Sequence, residues 1–452
     1  MSRIVRASTA YRSSLAATPP RLMSQSLALL GGTALRPRAF PVWPIIGTNE
    51  EARLIRTLRG GKWGRLSGTE VEEFERRFAA LHDARFCLGV VNGTVSLRLA
   101  LLAAGLPSGA EVIVPPYTFL ATASAAIEAN LVPVFADIEL DTFNLSPAAV
   151  EAAVTPRTRA IIPVHLGGQP AEMDALLAIA QKHNLVVIED AAQAHGATYR
   201  GRPVGALGQA GSFSFQSSKN LTCGEGGAIV TSDEAFAAKC RSLHNCGRVP
   251  GGLWYEHHHI GGNYRLSEFQ GAVLNGQLER FESQLETRER NGRDLARRLG
   301  EIPGLHPQVR TASCTRHVYH LFLFRIDAKS FGAPREAVLA ALQAEGVPVS
   351  RGYGLPLYRQ PLFANKAFGP YLSSVAERLD YRAVQCPNCE KVCDEQGAWL
   401  EQNLLLGTPA DIDDIVHAFE KIYSHREALS TWNQRTDESR NLPGRHHARA
   451  GR

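Results

Sequence analysis

Residues 212–227 read Ser-Phe-Ser-Phe-Gln-Ser-Ser-Lys-Asn-Leu-Thr-Cys-Gly-Glu-Gly-Gly, an alternating apolar run followed by Lys219 and a glycine-rich turn. A primary amine attacks aldehydes, and glycines, lacking Cβ, let backbone come close to a bulky adduct. The segment therefore suits a lysine that holds an aldehyde cofactor as a Schiff base. A surface turn can look the same, so the choice depends on neighbouring segments.

Upstream, β-rich runs at 86–91, 111–114, 132–136, 160–164, 185–189, 210–215 and 228–232 alternate with helical patterns at 95–104, 119–130, 146–153, 171–183 and 233–244. Such alternation, punctuated by Gly, Pro and Asp, predicts an α/β fold: a mostly parallel seven-stranded sheet covered on both faces. A helical stretch at 267–300 leads away from it. A strand at 317–326 and helices at 334–345 and 410–426 then predict a smaller C-terminal α+β domain. The expected division is a disordered extension at 1–26, a large domain at 27–285, a small domain at 286–429 and a disordered tail at 430–452.

Ligands of parallel sheets bind outside the carboxyl ends of strands, and three segments there complement Lys219. At Val91-Asn92-Gly93-Thr94-Val95 a strand gives way to a helix, whose free N–H groups and positive end favour a phosphate. A helix cap at Thr94 is the plainer alternative. Pro115-Pro116-Tyr117-Thr118-Phe119 could set an aromatic ring, Phe119 or Tyr117, against a planar cofactor; either ring could equally be core. In Leu185-Val186-Val187-Ile188-Glu189-Asp190-Ala191-Ala192-Gln193 an apolar strand ends in Asp190, costly to bury unless paired. A protonated pyridine nitrogen would offset that cost, and the ring would then accept electrons. Gln193 is placed to reach a ring hydroxyl, Ser214 to add a hydroxyl at the phosphate, and His165 to line the pocket. Phosphate cradle, stacking ring, pyridinium partner and Schiff-base lysine together describe pyridoxal 5′-phosphate. A G-x-G-x-x-G fingerprint and a Walker lysine loop are both absent.

With Pro-Pro-Tyr-Thr-Phe, Glu-Asp-Ala-Ala-Gln-Ala-His-Gly, the Lys219 segment and Gly262-Asn263-Tyr264-Arg265-Leu266-Ser267-Glu268-Phe269-Gln270, the chain closely resembles the DegT/DnrJ/StrS family of aminotransferases over about 27–426. The resemblance implies a fold-type-I, pyridoxal-phosphate-dependent transferase with Lys219 as the catalytic lysine. It further implies Asp190 on the pyridine nitrogen, Gln193 beside the ring and Phe119 stacked on it. Gly93, Thr94, Val95 and Ser214 fall at the phosphate. It also implies a homodimer with shared active sites, in which Asn263 and Arg265 reach the neighbouring subunit's cofactor. Some family members carry histidine in place of the lysine and dehydrate sugars; Lys219 favours amine transfer. The segments Gly352-Tyr353-Gly354-Leu355-Pro356-Leu357-Tyr358, Cys386-Pro387 and Trp399-Leu400 are similar to the branch that includes inosose and aminohydroxybenzoate-forming enzymes. The expected reaction moves an amino group from glutamine or glutamate to a keto-sugar or ketocyclitol, with His165, Gln169 and Tyr353 as candidate substrate contacts. A dehydratase or lyase on the same cofactor, or a non-catalytic regulator, are the rivals.

Composition narrows partners. The formal charge of +5 resides in the ends: 1–26 carry four Arg and no acid, and 430–452 carry five Arg against Asp437 and Glu438. The body between is slightly acidic, which argues against a nucleic-acid partner. No apolar run is long enough for a membrane span. The eight cysteines lack disulfide-scaffold spacing and point to a reducing, cytoplasmic setting. Cys386, Cys389 and Cys393 have no convincing fourth ligand, so no metal is expected.

Overall fold

A computed structural model describes residues 26–432; the expected extension and tail lie almost wholly outside the described residues. The central sheet is built from β1 (Phe86–Val90), β2 (Glu111–Val114), β3 (Val132–Phe135), β4 (Thr158–Ile161), β5 (Val186–Asp190), β6 (Ala210–Ser214) and β7 (Gly227–Thr231). Its order is β1-β7-β6-β5-β4-β2-β3. Four of the pairings are parallel; β7 runs antiparallel to both β1 and β6. The predicted mostly parallel, seven-stranded sheet is therefore present.

Period-two alternation sorts each strand's side chains into two cores. Val112, Val114, Ile162 and Ile188 join one cluster; Ile113, Ile161 and Val187 join the other. The first is covered by α3 (Gly93–Ala103) and α4 (Ala121–Glu128), while α2 (Glu70–Leu81) and α6 (Met173–His183) contribute to the second. Before them comes α1 (Thr48–Gly60), and Pro147–Ala153 forms α5. The same alternation separates the two acids closing β5. Asp190 shares its face with Ile188 and meets α4, whereas Glu189 shares the Val187 face.

After α7 (Glu234–His244), the predicted helix at 267–300 is two helices, α8 (Glu268–Leu278) and α9 (Phe281–Leu299). The break falls at Arg280, whose φ of −110° and ψ of 3° leave the helical region while its guanidinium is bound by Glu50 and the Ile45 carbonyl. Beyond α9, a three-stranded sheet of β8 (Leu305–Pro307), β9 (Leu321–Ile326) and β10 (Gly397–Glu401) packs with α10 (Arg335–Ala344) and α11 (Pro409–Ser424) around a third core. Leu27 and Phe40 from the start of the described chain belong to that core. Glu345 fixes them there: its carboxylate accepts the Ala28 and Leu35 N–H groups and pairs with buried Lys421 at 2.9 Å.

Candidate active site

The exits of β5 and β6, two parallel neighbours with Asp190 opposite Ser212, open on one cavity of about 540 Å³. Asp190, Gln193, Ser214, Lys219, Gly93, Thr94, Phe119 and Tyr353 all line it. Asp190 is 5% exposed. Burial pushes its pKa up, opposed by the Thr122 hydroxyl donating at 2.8 Å, the Ala192 N–H at 3.2 Å and the charge of Lys219. The Lys219 amine is pushed down to about 8 by burial, with Asp190 acting the other way. The two charges face the same cavity without an ion pair between them, which leaves room for a group that meets both.

Where α3 begins at the cavity wall, Asn92 rather than Thr94 caps the helix: its Oδ1 accepts the Val95 N–H at 2.9 Å. Thr94 is thereby free to face the cavity. Val95 is a correction to the sequence reading, since its amide is engaged by Asn92 and its side chain packs against the core. Gly93 is required by closeness: a Cβ there would stand 2.7 Å from the Ser214 Cβ. Of the two candidate rings, Phe119 lines the cavity, while Tyr117 is buried edge-on against Tyr353, centroids 5.2 Å apart.

His165 is a second correction. It is fully buried in the core beside Glu189; its Nδ1 accepts the Ala171 N–H, so its Nε2–H donates to Glu189 Oε2 at 3.0 Å. Burial raises the pKa of Glu189, yet the hydrogen bonds from His165 and from the Gly205 and Gly208 N–H groups hold it below the ordinary carboxylate value. The pair organises the β5–β6 crossover rather than the cavity. Gln169 is likewise turned away, donating to the Val309 carbonyl. Asn263 and Arg265 do not line the cavity of their own chain; Arg265 donates to Asn245 Oδ1 at 2.7 Å.

Sequence reading missed several contributors. His320, Glu401 and Gln402 come from the small domain, Glu225 from the glycine-rich turn, and Thr122 from α4; Trp399, marked in the sequence only as part of a branch signature, joins them in the small-domain wall. Only Thr122 had a local signal, lying one helical turn past Thr118, whose hydroxyl is 3.0 Å away. His320 is kept neutral, its pKa forced well down by burial and the Lys219 charge. Chemically, the cavity can receive an aldehyde at Lys219, an anion at Ser214 and the α3 N-terminus, and a protonated ring nitrogen at Asp190. Among the described residues no cluster of metal-ligating side chains is present; Cys386, Cys389 and Cys393 are buried free thiols.

A two-faced sheet whose strand exits bring a helix start, a lysine and a buried carboxyl to one cavity is the architecture of an α/β enzyme. Residues 44–399 match the model of the DegT/DnrJ/EryC1/StrS aminotransferase family, and the chain belongs to that family. It is an aminotransferase. L-glutamine:2-deoxy-scyllo-inosose aminotransferase of Streptomyces fradiae is 38% identical over 432 residues, spanning 90% of this chain and all of that one. A Streptoalloteichus tenebrarius protein provisionally named L-glutamine:3-amino-2,3-dideoxy-scyllo-inosose aminotransferase is 40% identical over 415 residues, covering 90% and 100%. The crystal structure of 3-amino-5-hydroxybenzoic acid synthase superposes with a TM-score of 0.77 at 36% identity, covering 87% of this chain and all of that one.

Proposed function

We propose that the protein uses pyridoxal 5′-phosphate to move an amino group from glutamine or glutamate to a ketocyclitol or keto-sugar. The observation that carries this reading is the placement of Lys219 and Asp190 on one cavity without an ion pair between them. The donor set fits the cofactor: Ser214, Thr94 and the first N–H groups of α3 for its phosphate, Phe119 for its ring face, Gln193 for its hydroxyl and Asp190 for its nitrogen. Bound there, the cofactor supplies an aldehyde that carries the amino group and a ring that takes up electrons.

The chain's own residues do the rest. Lys219, whose amine faces the cavity, would take up and return the proton of the donor Cα. Asp190, fixed by Thr122, would hold the cofactor's ring nitrogen in its protonated form. Thr122 and Ala192 keep the carboxylate from turning away. Relatives named for glutamine and for inosose acceptors, with and without an amino substituent, favour a cyclitol over a nucleotide sugar. A homodimer suits the position of Asn263 and Arg265 and the exposed apolar residues Leu253, Trp254, Tyr255 and Ile260 close by in the chain. Eight free thiols suit a cytoplasmic setting.

Incubation with glutamine or glutamate and a panel of ketocyclitols and keto-sugars, read by product mass, tests the proposal. An aminated acceptor formed in step with oxo-acid is expected. Oxo-acid with no aminated acceptor in any combination overturns it.

A further inference from the structure

Helix α9 carries Arg288 and, one turn on, Asn291, so the two share a face. Asn291 Nδ2 donates to the Leu405 and Gly407 carbonyls at 2.8 and 2.9 Å, and Arg288 Nε donates to Gln402 Oε1 at 2.8 Å. Together they clamp the 3₁₀ turn Gln402–Leu406 that follows β10. Arginine has no acceptor, so the amide oxygen of Gln402 must face it and the amide nitrogen must face elsewhere. That nitrogen has no protein partner among the described residues, and Gln402 lines the cavity.

Arg288 is fully buried, its Nη1 and Nη2 have no hydrogen-bond partner, and no carboxylate pairs with it among the described residues. Burial alone brings its pKa down to about 9. Its guanidinium carbon lies 5.0 Å from the Trp43 ring centroid, and Trp43 Nε1 donates to the Ser217 carbonyl beside the Lys219 turn. A buried cation without a counter-ion costs free energy unless a bound anion offsets it. Through Gln402 that charge polarises the amide nitrogen open to the cavity, which then favours an acceptor with negative charge. The proposed reaction brings two anions. The cofactor phosphate has Ser214 and the α3 N-terminus; the donor's α-carboxylate has no group of this chain assigned to it. A neutral keto-polyol needs none.

Resting on that proposed function, we infer that Gln402, oriented by Arg288, takes the α-carboxylate of the amino-acid donor. Arg288 is a positioning residue, since it touches Gln402 and not the ligand. The proposed homodimer brings Arg265 of the partner subunit to the same cofactor and with it a further cation, so the test separates the two.

The test compares two donors differing in one group, L-glutamine and its α-amide, on the cofactor-loaded wild type, Gln402→Leu, Gln402→Glu, Arg288→Met and Arg265→Lys. Oxo-product formation gives kcat/KM for each donor. α-Methylglutamine, which has no Cα proton to lose, gives a Kd from the absorbance change on binding. Wild type should prefer glutamine over its α-amide by about tenfold or more, the scale of one charged hydrogen bond. Gln402→Leu should bring that ratio to about two or below, through KM rather than kcat, and raise the Kd of α-methylglutamine about tenfold. Gln402→Glu should raise that Kd further, because its carboxylate repels the ligand's. Arg288→Met should match Gln402→Leu, and the two combined should add nothing more; if Arg288→Met does not fold, the Gln402 variants decide alone. An unchanged ratio in both Gln402 variants overturns the inference, as does a ratio lost only in Arg265→Lys, which gives the carboxylate to the partner subunit. Gln402→Leu weakening pyridoxal 5′-phosphate binding as much as α-methylglutamine binding assigns the turn to the phosphate and overturns it too. Wild type that forms oxo-acid from no amino acid overturns the proposed function itself.

Discussion

Asp190 ends strand β5, Lys219 follows the adjacent parallel strand β6, and the two face one cavity without forming an ion pair. Opposite charges in a low-dielectric pocket ordinarily close on one another. Here Thr122 and the Ala192 N–H grip the carboxylate from behind, and the turn at 216–219 sets the lysine apart. The separation persists because each charge is positioned by its own strand exit.

Lys219→Arg keeps the charge and removes the amine that condenses with an aldehyde. Turnover is expected to fall at least about a thousandfold, as for loss of a covalent nucleophile. The visible absorbance of the cofactor-loaded protein should disappear with it. Steady-state rates and an absorption spectrum check both.

Thr122→Val removes the hydroxyl that donates to Asp190 at 2.8 Å. That hydrogen bond favours the charged carboxylate, so its loss raises the Asp190 pKa further. Asp190 acts as an anion, so the acid limb of the rate profile should move to higher pH. A pH–rate profile of the donor half-reaction reads the shift; an unmoved acid limb would separate Thr122 from the ionisation of Asp190.

How much of this was legible beforehand follows from which signals are local. Gly93, Asp190 and Lys219 stand where a strand pattern stops, and that is visible in a linear chain. The two-faced sheet was equally readable, because seven short apolar runs alternate with helical spacing. Glu401 and Gln402 were not: they reach the cavity through the pairing of β9 with β10, more than two hundred residues from Asp190 in the chain. His165 at a strand exit reads as a pocket-lining substrate contact, and only the third dimension shows Glu189 behind it. The division of 267–300 into two helices depended on Glu50 capturing Arg280, a contact no periodicity reveals.

The lysine's acidity makes a prediction of its own. Burial brings Lys219 down to about 8 from an ordinary 10.5. A value below the ordinary one means the amine sheds its proton earlier, so the reactive fraction grows as pH rises through about 8. Cofactor-free protein mixed with pyridoxal 5′-phosphate should therefore develop its absorbance faster from pH 7 to 9 and level off above. A stopped-flow pH series measures this; a rate still climbing at pH 10 would place the lysine in water.

The attachment of residues 28–36 to the small domain predicts a stability effect far from the chemistry. Lys421 is 2% exposed and Glu345 fully buried; besides their mutual contact, Lys421 donates to the Thr33 carbonyl at 3.2 Å. Lys421→Met leaves the Glu345 charge buried with only backbone donors from Ala28 and Leu35. Breaking one partner of a buried pair costs about 3 kcal/mol. Glu345→Gln with Lys421→Met should recover much of that loss, because no uncompensated charge remains. Urea unfolding of the single and double variants decides it, and equal midpoints for Lys421→Met and wild type would show that the pair does not anchor the segment.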